Sequence, residues 1–130
     1  MKTEPKPPRP TDAELEILAV LWSTGPTTVR QVYEHISRRR PAQYSTILKF
    51  MQIMADKGLL RRDEEQRAHI YEAARPREWT QQQLAGHLLD RAFSGSAKAL
   101  LIGALSARKT TKSELAEIRK LLDEYAQGAK

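Results

Sequence analysis

Apolar residues in the first half of the chain recur at the spacing of amphipathic helices. Three runs place them three and four residues apart, on one side of a helix with 3.6 residues per turn. Thr11 and Thr28 can cap the first two helices, and Gly58 ends the third. The residues predicted to be buried are Leu15, Leu18, Ala19 and Trp22, then Val29, Val32, Tyr33 and Ile36, then Ile47, Phe50, Met51 and Met54. The pattern predicts three successive helices.

After Gly58 the pattern changes from helical to alternating. Two short segments, 59–63 and 67–73, carry alternating apolar and polar residues on either side of a polar tip, and Pro76 ends the unit. Two such strands predict a β-hairpin, although no Asn-Gly turn marks it. Three helices followed by a hairpin is the order of a winged helix-turn-helix. We therefore predict a mainly α fold with a small β-hairpin.

From about Thr80 onward the chain again shows helical spacing. Breaks at 94–96 and near Thr111 divide this part into three helices. Their apolar residues are too many for so short a segment to cover by itself, so we expect a second copy of the chain to cover them. An apolar core within one chain is the alternative. The residues predicted to dimerise are Leu84, Leu88, Leu89, Phe93, Leu100, Leu101, Leu105, Leu115, Ile118, Leu122 and Tyr125.

These patterns divide the chain into three parts. Residues 1–10 are rich in proline and basic residues, which predicts a disordered tail, with an arm that contacts phosphate groups as the alternative. Residues 11–76 form the predicted winged helix-turn-helix DNA-binding domain. Residues 77–130 form the predicted three-helix dimerisation segment.

Composition narrows the class of protein. The 130 residues are 40% hydrophobic and 29% charged, as in ordinary globular proteins. The net charge of +6 favours polyanionic partners. The chain has no cysteine, which removes disulfides and thiolate metal sites and suits a reducing cytoplasm. No apolar run approaches the roughly 20 residues that span a bilayer, and the first residues lack the apolar core of a secretory signal. We expect a cytoplasmic protein with no membrane partner.

The side of the third helix opposite its apolar face carries hydrogen-bonding residues rather than charge alone. A helix fits the major groove of DNA, which is roughly 12 Å wide. Glutamine can pair with adenine, lysine with guanine, and a threonine methyl group can contact that of thymine. Ile53 falls near the border of this side and has no explanation in the pattern. The residues predicted to read bases are Ser45, Thr46, Lys49 and Gln52.

Basic residues flank this helix on both sides, and we expect them to contact phosphate groups without reading sequence. The tip of the hairpin, 63–65, is acidic, which disfavours deep insertion into the minor groove. The alternative function is a winged helix that binds a partner protein without reading DNA. The residues predicted to contact the DNA backbone are Arg38, Arg39, Arg40, Arg61, Arg62, Gln66 and Arg67.

Enzymatic and metal-binding functions find little support. His35, His69 and His87 lie in different predicted elements and lack the spacing of metal ligands. No glycine-rich phosphate loop is present. We predict no enzyme activity, no catalytic residues, no metal and no cofactor.

A set of short motifs resembles a known family. The motifs are Asp12-Ala13-Glu14, Trp22, Gly25-Pro26, Tyr44-Ser45-Thr46-Ile47, Lys57-Gly58-Leu59, Arg67, Tyr71, Phe93-Ser94-Gly95-Ser96, Glu114-Leu115, Ile118 and Leu121-Leu122. In order and spacing they resemble the penicillinase-repressor family (BlaI/MecI type), over nearly all of the chain after Pro10. The resemblance implies a homodimeric winged-helix repressor that binds dyad operators, with Ser45, Thr46 and Lys49 in its recognition helix.

Two departures from the family pattern bear on induction. Copper-responsive relatives carry a C-terminal cysteine motif, which this chain lacks, so metal sensing is not expected. Members that control β-lactam resistance have a signal-dependent protease as a partner, and they are cleaved at an Asn-Phe bond in the dimerisation segment. The matching bond here is Gly103–Ala104, so the resemblance implies a protease partner without preserving its cleavage site.

Overall fold

The computed structural model describes residues 9–65 and 67–128. Two of the predictions fall on other residues: most of the N-terminal tail, and Gln66, lie outside the described part. The elements are α1 (Asp12–Thr24), α2 (Val29–Ser37), α3 (Tyr44–Asp56), β1 (Leu60–Asp63), β2 (Ile70–Ala73), α4 (Arg77–Ala92), α5 (Ala97–Ala107) and α6 (Lys112–Gly128). A mainly α fold with one antiparallel hairpin is thereby confirmed. The chain divides into two compact units, one ending at Leu84 and the other beginning at Ala85.

The first unit begins with a complete capping box. The Thr11 hydroxyl accepts a hydrogen bond from the Glu14 N–H at 3.2 Å, and the Glu14 carboxylate accepts one from the Thr11 N–H at 2.9 Å. Thr28 caps α2 by accepting a hydrogen bond from the Gln31 N–H at 3.2 Å. Gly58 has φ +84°, a left-handed conformation that favours glycine, and it follows α3 as predicted.

The core of the first unit joins the three helices to the hairpin. The buried apolar residues are Ile17, Leu18, Val20, Leu21, Val29, Val32, Ile36, Ile47, Met51, Met54, Leu59, Leu60 and Tyr71. Of the buried face predicted for α1, Leu18 is buried, but Leu15 and Trp22 are only partly buried and Ala19 is exposed, so the prediction was wrong at those three residues. Helix α1 is apolar around most of its surface. Two overlapping sets of residues therefore satisfy the helical spacing, and tertiary packing selects the one that begins at Ile17.

The hairpin is fixed to the helices through Tyr71. Strands β1 and β2 pair with Leu60 opposite Ala73 and Arg62 opposite Tyr71. The Tyr71 backbone also pairs with Thr27, in the loop between α1 and α2, through N–H to oxygen hydrogen bonds of 2.8 and 2.9 Å. Because the Tyr71 side chain is buried as well, the hairpin is held against the helices by both its backbone and its core packing.

A buried ion pair ties the start of α1 to the end of α3. The Glu14 side chain is only 2% exposed, and its carboxylate lies 2.9 Å from the Lys57 ammonium. Burial alone would raise the pKa of Glu14, but the hydrogen bond from the Thr11 N–H and the contact with Lys57 outweigh it, so the pKa lies below its ordinary value. The carboxylate stays charged inside the unit because these two partners compensate its burial.

We expect Lys57→Ala to destabilise the protein by leaving the Glu14 charge buried without its cation. Losing one partner of a buried pair costs roughly 3–5 kcal/mol. We expect the lower end of that range or less, because the Lys57 side chain is 33% exposed. Urea unfolding would measure the free energy of unfolding. The double variant Glu14→Gln/Lys57→Met, which removes both charges, is the control and should lose less stability than Lys57→Ala alone.

The same pair gives the stability a defined pH dependence. The pKa of Glu14 in the folded chain is below that of the unfolded chain, which is near 4.5. Its stabilisation is therefore complete above pH 4.5 and is lost as the pH falls through the lower, folded value. Glu14→Gln should weaken the loss of stability on acidification. An unchanged acid dependence in that variant would contradict the account.

In the C-terminal part, α4 begins earlier than predicted. It starts at Arg77, directly after Pro76, so Thr80 lies within its first turns, where it is buried. A left-handed turn at Ser94 and Gly95 follows α4, and Ser96 caps α5 by accepting a hydrogen bond from the Ala99 N–H at 3.1 Å.

Helices α5 and α6 lack a core of their own in the single chain. Within the described residues of these two helices, no side chain is buried. Gly103 gives the Phe93 ring room to approach α5, since a methyl group at this position would lie 3.3 Å from the ring. Large apolar side chains nevertheless remain exposed throughout the second unit. They are Leu88, Ile102, Leu105, Leu115, Leu121, Leu122 and Tyr125.

Candidate nucleic-acid interface

Helix α3 has one buried face and one exposed face, as its sequence predicts. Ile47, Met51 and Met54 are buried in the core, and Phe50 packs against it. The residues predicted to read bases, Ser45, Thr46, Lys49 and Gln52, are all exposed. The burial of the apolar side fixes the rotation of α3 about its axis. It therefore determines which side chains a molecule in front of the helix would meet. That this face reads bases stays a prediction.

Ile53 lies on the exposed face of α3 and not in the core. Its side chain is 37% exposed. It follows Lys49 by four residues and Thr46 by seven, so these three side chains occupy one side of the helix. The sequence pattern left Ile53 unexplained, and its place among polar residues is now clear.

An open groove of about 470 Å³ runs between α2, α3 and the hairpin. Gln52 lines it from α3, Arg67 and His69 line it from the hairpin side, and Arg30 lines it from the start of α2. The groove thus adjoins the exposed face of α3 and is lined by basic side chains from both α2 and the hairpin side. Its chemistry suits an anionic chain such as a phosphodiester backbone.

Arg30 is a candidate phosphate contact that the sequence pattern did not predict. Its guanidinium lies 5.0 Å from the centre of the Tyr44 ring, within the range of a cation–π contact. Tyr44 in turn packs edge-to-face against Tyr33 at 5.7 Å between ring centres. The contact joins two helices across the fold, so no local spacing could have predicted it.

The arginines around α3 fall into two groups, those whose guanidinium is paired with a carboxylate and those whose guanidinium is not, within the described residues. Arg40 donates to both carboxylate oxygens of Glu16 at 3.1 Å and to the Pro41 carbonyl oxygen at 3.1 Å. This hydrogen bond to Arg40 is the main reason why the pKa of Glu16 lies below its ordinary value. Arg39 also lowers that pKa through its charge, but it forms no ion pair within the described residues.

The arginines of the first strand of the hairpin are also partnered. Arg61 donates to the Ala74 carbonyl oxygen at 3.1 Å and lies 3.6 Å from the Glu72 carboxylate. Arg62 pairs with Glu64 at 2.7 Å, on the acidic tip. A hydrogen bond with Tyr71, together with the Glu64 charge, raises the pKa of Arg62.

Arg38 and Arg67 differ from these residues. Both are exposed, and neither forms an ion pair or side-chain hydrogen bond within the described ranges 9–65 and 67–128. Arg38 lies at the end of α2, and Arg67 lies in the groove. Of the predicted phosphate contacts, Arg38, Arg39 and Arg67 therefore have guanidinium groups that no carboxylate of the described residues holds.

The described residues contain neither a metal site nor a membrane segment. No group of three or more histidine and acidic side chains in that part of the chain is arranged to hold a metal ion. Among its helices, none combines the length and the apolar character needed to cross a bilayer.

Known proteins with similar sequences place the chain in a family. The penicillinase repressor family pattern matches residues 10–124. The transcriptional regulator BlaI of Mycobacterium tuberculosis is 36% identical over 96 residues, covering 70% of this chain and 67% of that protein. The penicillinase repressor of Bacillus licheniformis is 22% identical over 120 residues, covering 92% of this chain and 94% of that protein.

A solved structure was also found to be similar in part. It is the solution structure of the Bacillus licheniformis BlaI monomeric form in complex with the blaP half-operator, with a TM-score of 0.49 and 26% identity. The similarity covers 56% of this chain and 89% of that chain. On the family pattern and the mycobacterial relative, the present chain belongs to the penicillinase repressor family.

Proposed function

We propose that this protein is a transcriptional repressor that reads DNA with the exposed face of α3 and binds dyad operators as a homodimer. The observation that carries the proposal is the division of α3 into a buried apolar face and an exposed polar one. Relatives named as a transcriptional regulator and a penicillinase repressor support it. Members of this family are regulators, and we infer that the chain has no enzyme activity.

Base recognition follows from the side chains on the exposed face. Gln52 can donate to and accept from adenine in the major groove, and Lys49 can donate to the two acceptors of guanine. Thr46 offers both a hydroxyl and a methyl group, and Ser45 precedes it at the start of the helix. These groups discriminate between bases because each base pair presents a distinct pattern in the major groove.

Phosphate contacts come from the arginines that have no carboxylate partner in the described part of the chain. Arg39→Ala should weaken binding to all sequences alike, because a phosphate contact carries no sequence information. The logarithmic salt dependence of affinity should fall by about one unit for the lost contact. Arg40→Ala is the matched control, since Glu16 already holds that guanidinium, and it should change the salt dependence less. A change in sequence preference in Arg39→Ala would contradict this assignment.

Dimerisation is the role we propose for the C-terminal helices. Support comes from α5 and α6, which have no buried side chains within the described residues and expose several large apolar ones. Ile102 and Leu121 belong to this exposed set and were absent from the predicted one. A two-fold dimer would cover the helices and set two α3 helices at the spacing of a dyad operator.

The proposed division of labour assigns residues 11–76 to DNA and residues 77–130 to the dimer. Because α4 crosses the boundary between the two compact units, it would connect the two functions. A DNA target implies action in the cytoplasm. The protease partner stays an expectation of the resemblance. The matching bond, Gly103–Ala104, lies inside α5, so cleavage there would require local unfolding of that helix.

A footprint of the full-length protein on the DNA upstream of its own gene tests the proposed function. We expect protection of a two-fold symmetric sequence, with half-sites separated by about one or more helical turns. Uniform protection without a preferred sequence would contradict it and would favour a winged helix that binds a protein partner.

A further inference from the structure

Ile53 is an exposed apolar side chain on a face otherwise occupied by polar groups. It is 37% exposed and is not among the partly buried apolar residues that pack against the core. Thr46, Lys49 and Ile53 are related by three and four residues along α3, so they form one row along the helix. Homeodomain recognition helices read bases with a row of this spacing.

The chemistry of the major groove identifies what Ile53 would meet. Isoleucine has no hydrogen-bonding group, so it cannot read the donors and acceptors that distinguish most base edges. The exception in the major groove is the C5 methyl group of thymine, which is apolar and projects into the groove. Ile53 lies about 10 Å along the helix axis from Thr46, since each residue rises about 1.5 Å. At about 3.4 Å per base pair, the two side chains would reach different base pairs.

We propose that Ile53 is a specificity-determining residue that contacts the C5 methyl group of a thymine in the operator. The inference rests on the proposed function, because it requires α3 to lie in the major groove. Contact would bury the exposed part of the Ile53 side chain together with the thymine methyl group. Burying one methyl group changes an equilibrium constant by about fourfold.

Replacing thymine by uracil tests this contact because it removes the methyl group and leaves the hydrogen-bonding groups of the base. The probe is a duplex that the full-length wild-type protein enriches from a random library, resynthesised with uracil at one thymine at a time. For wild-type protein we expect one position in each half-site at which uracil lowers the affinity about fourfold. The loss at that position arises because the contact between Ile53 and the thymine methyl group is removed. Ile53→Ala removes the contact in both half-sites, so it should bind the thymine duplex about as weakly as wild type binds a duplex with uracil at both symmetry-related positions, and uracil there should cause no further loss.

Two further variants sharpen the experiment. Ile53→Gln replaces the apolar side chain by a polar one of higher helix propensity, so it should not disturb α3, and it should also lose the uracil effect at that position. Thr46→Ser is the matched control, because it removes a methyl group from the same row of α3. Thr46→Ser should retain the loss of affinity that uracil causes at the position contacted by Ile53. Any change in its response to uracil should occur at a different thymine. Thermal melts should show all three variants folded, since substitutions at exposed positions usually change stability by about 0.5 kcal/mol or less.

The outcomes separate the inference from the function on which it rests. If the library enriches a sequence but Ile53→Ala and Ile53→Gln both keep every uracil effect of the wild type, the thymine contact is wrong and the proposed function stands. The absence of any uracil effect in the wild type would overturn the contact in the same way. If no sequence is enriched at all, the proposed function falls, and the contact falls with it.

Discussion

Met51→Ala should lower the free energy of unfolding by about 2–5 kcal/mol, the range for truncating a large buried side chain. Met51 is 0% exposed and lies at the centre of the face by which α3 packs on the other helices. The substitution removes contacts and leaves a cavity, while Thr46, Lys49 and Gln52 on the opposite side keep their chemical groups. Urea unfolding monitored by circular dichroism would measure the change.

Lys49→Ala is the control for this prediction, because it changes the exposed side of the same helix. It should alter the free energy of unfolding by about 0.5 kcal/mol or less. Equal losses in Met51→Ala and Lys49→Ala would contradict the rotation of α3 on which the proposed interface depends.

Leu122→Asp should convert the dimer into a monomer and reduce operator affinity by about 100-fold or more, because linked half-site binding supplies a gain of that order. Leu122 is exposed in the single chain, so the charge should not disturb the fold of one protomer. In a dimer the same carboxylate would be buried against apolar groups at a large cost. Sedimentation equilibrium and operator titration would measure the two effects.

Ala116→Asp is the matched control on α6. It adds the same charge at an exposed position, about 120° around the helix from Leu122. It should leave both dimerisation and affinity close to those of the wild type. A wild-type protein that is monomeric at micromolar concentration, yet binds its operator tightly, would contradict the proposed role of the C-terminal helices.

Sequence spacing predicted α3 well because its two sides differ in chemistry. Ile47, Met51 and Met54 fall on one side at helical intervals, and all of them are buried. The same reasoning failed for α1, whose apolar residues surround most of the helix. There the buried side depends on which neighbours pack against it, and that information is not local.

Contacts between distant parts of the chain were beyond prediction from spacing. The capping box identified Glu14, but not its ion pair with Lys57, which lies 43 positions away along the chain. Nothing in the sequence distinguishes among the arginines predicted to contact phosphate. The structure separates Arg40, held by Glu16, from Arg38, which has no such partner within the described residues. Arg30 was not predicted because its contact with the Tyr44 ring joins two different helices.

Competition between operator and random DNA, measured for the wild type, Lys49→Ala and Gln52→Ala, tests the central claim most directly. If the exposed face of α3 reads the bases, each substitution should reduce the discrimination by roughly 1–3 kcal/mol, the range for a lost base contact. Thermal melts of the same samples should remain close to that of the wild type. Full operator discrimination in both variants would show that α3 is not the reader, and binding to a protein partner would become the better account.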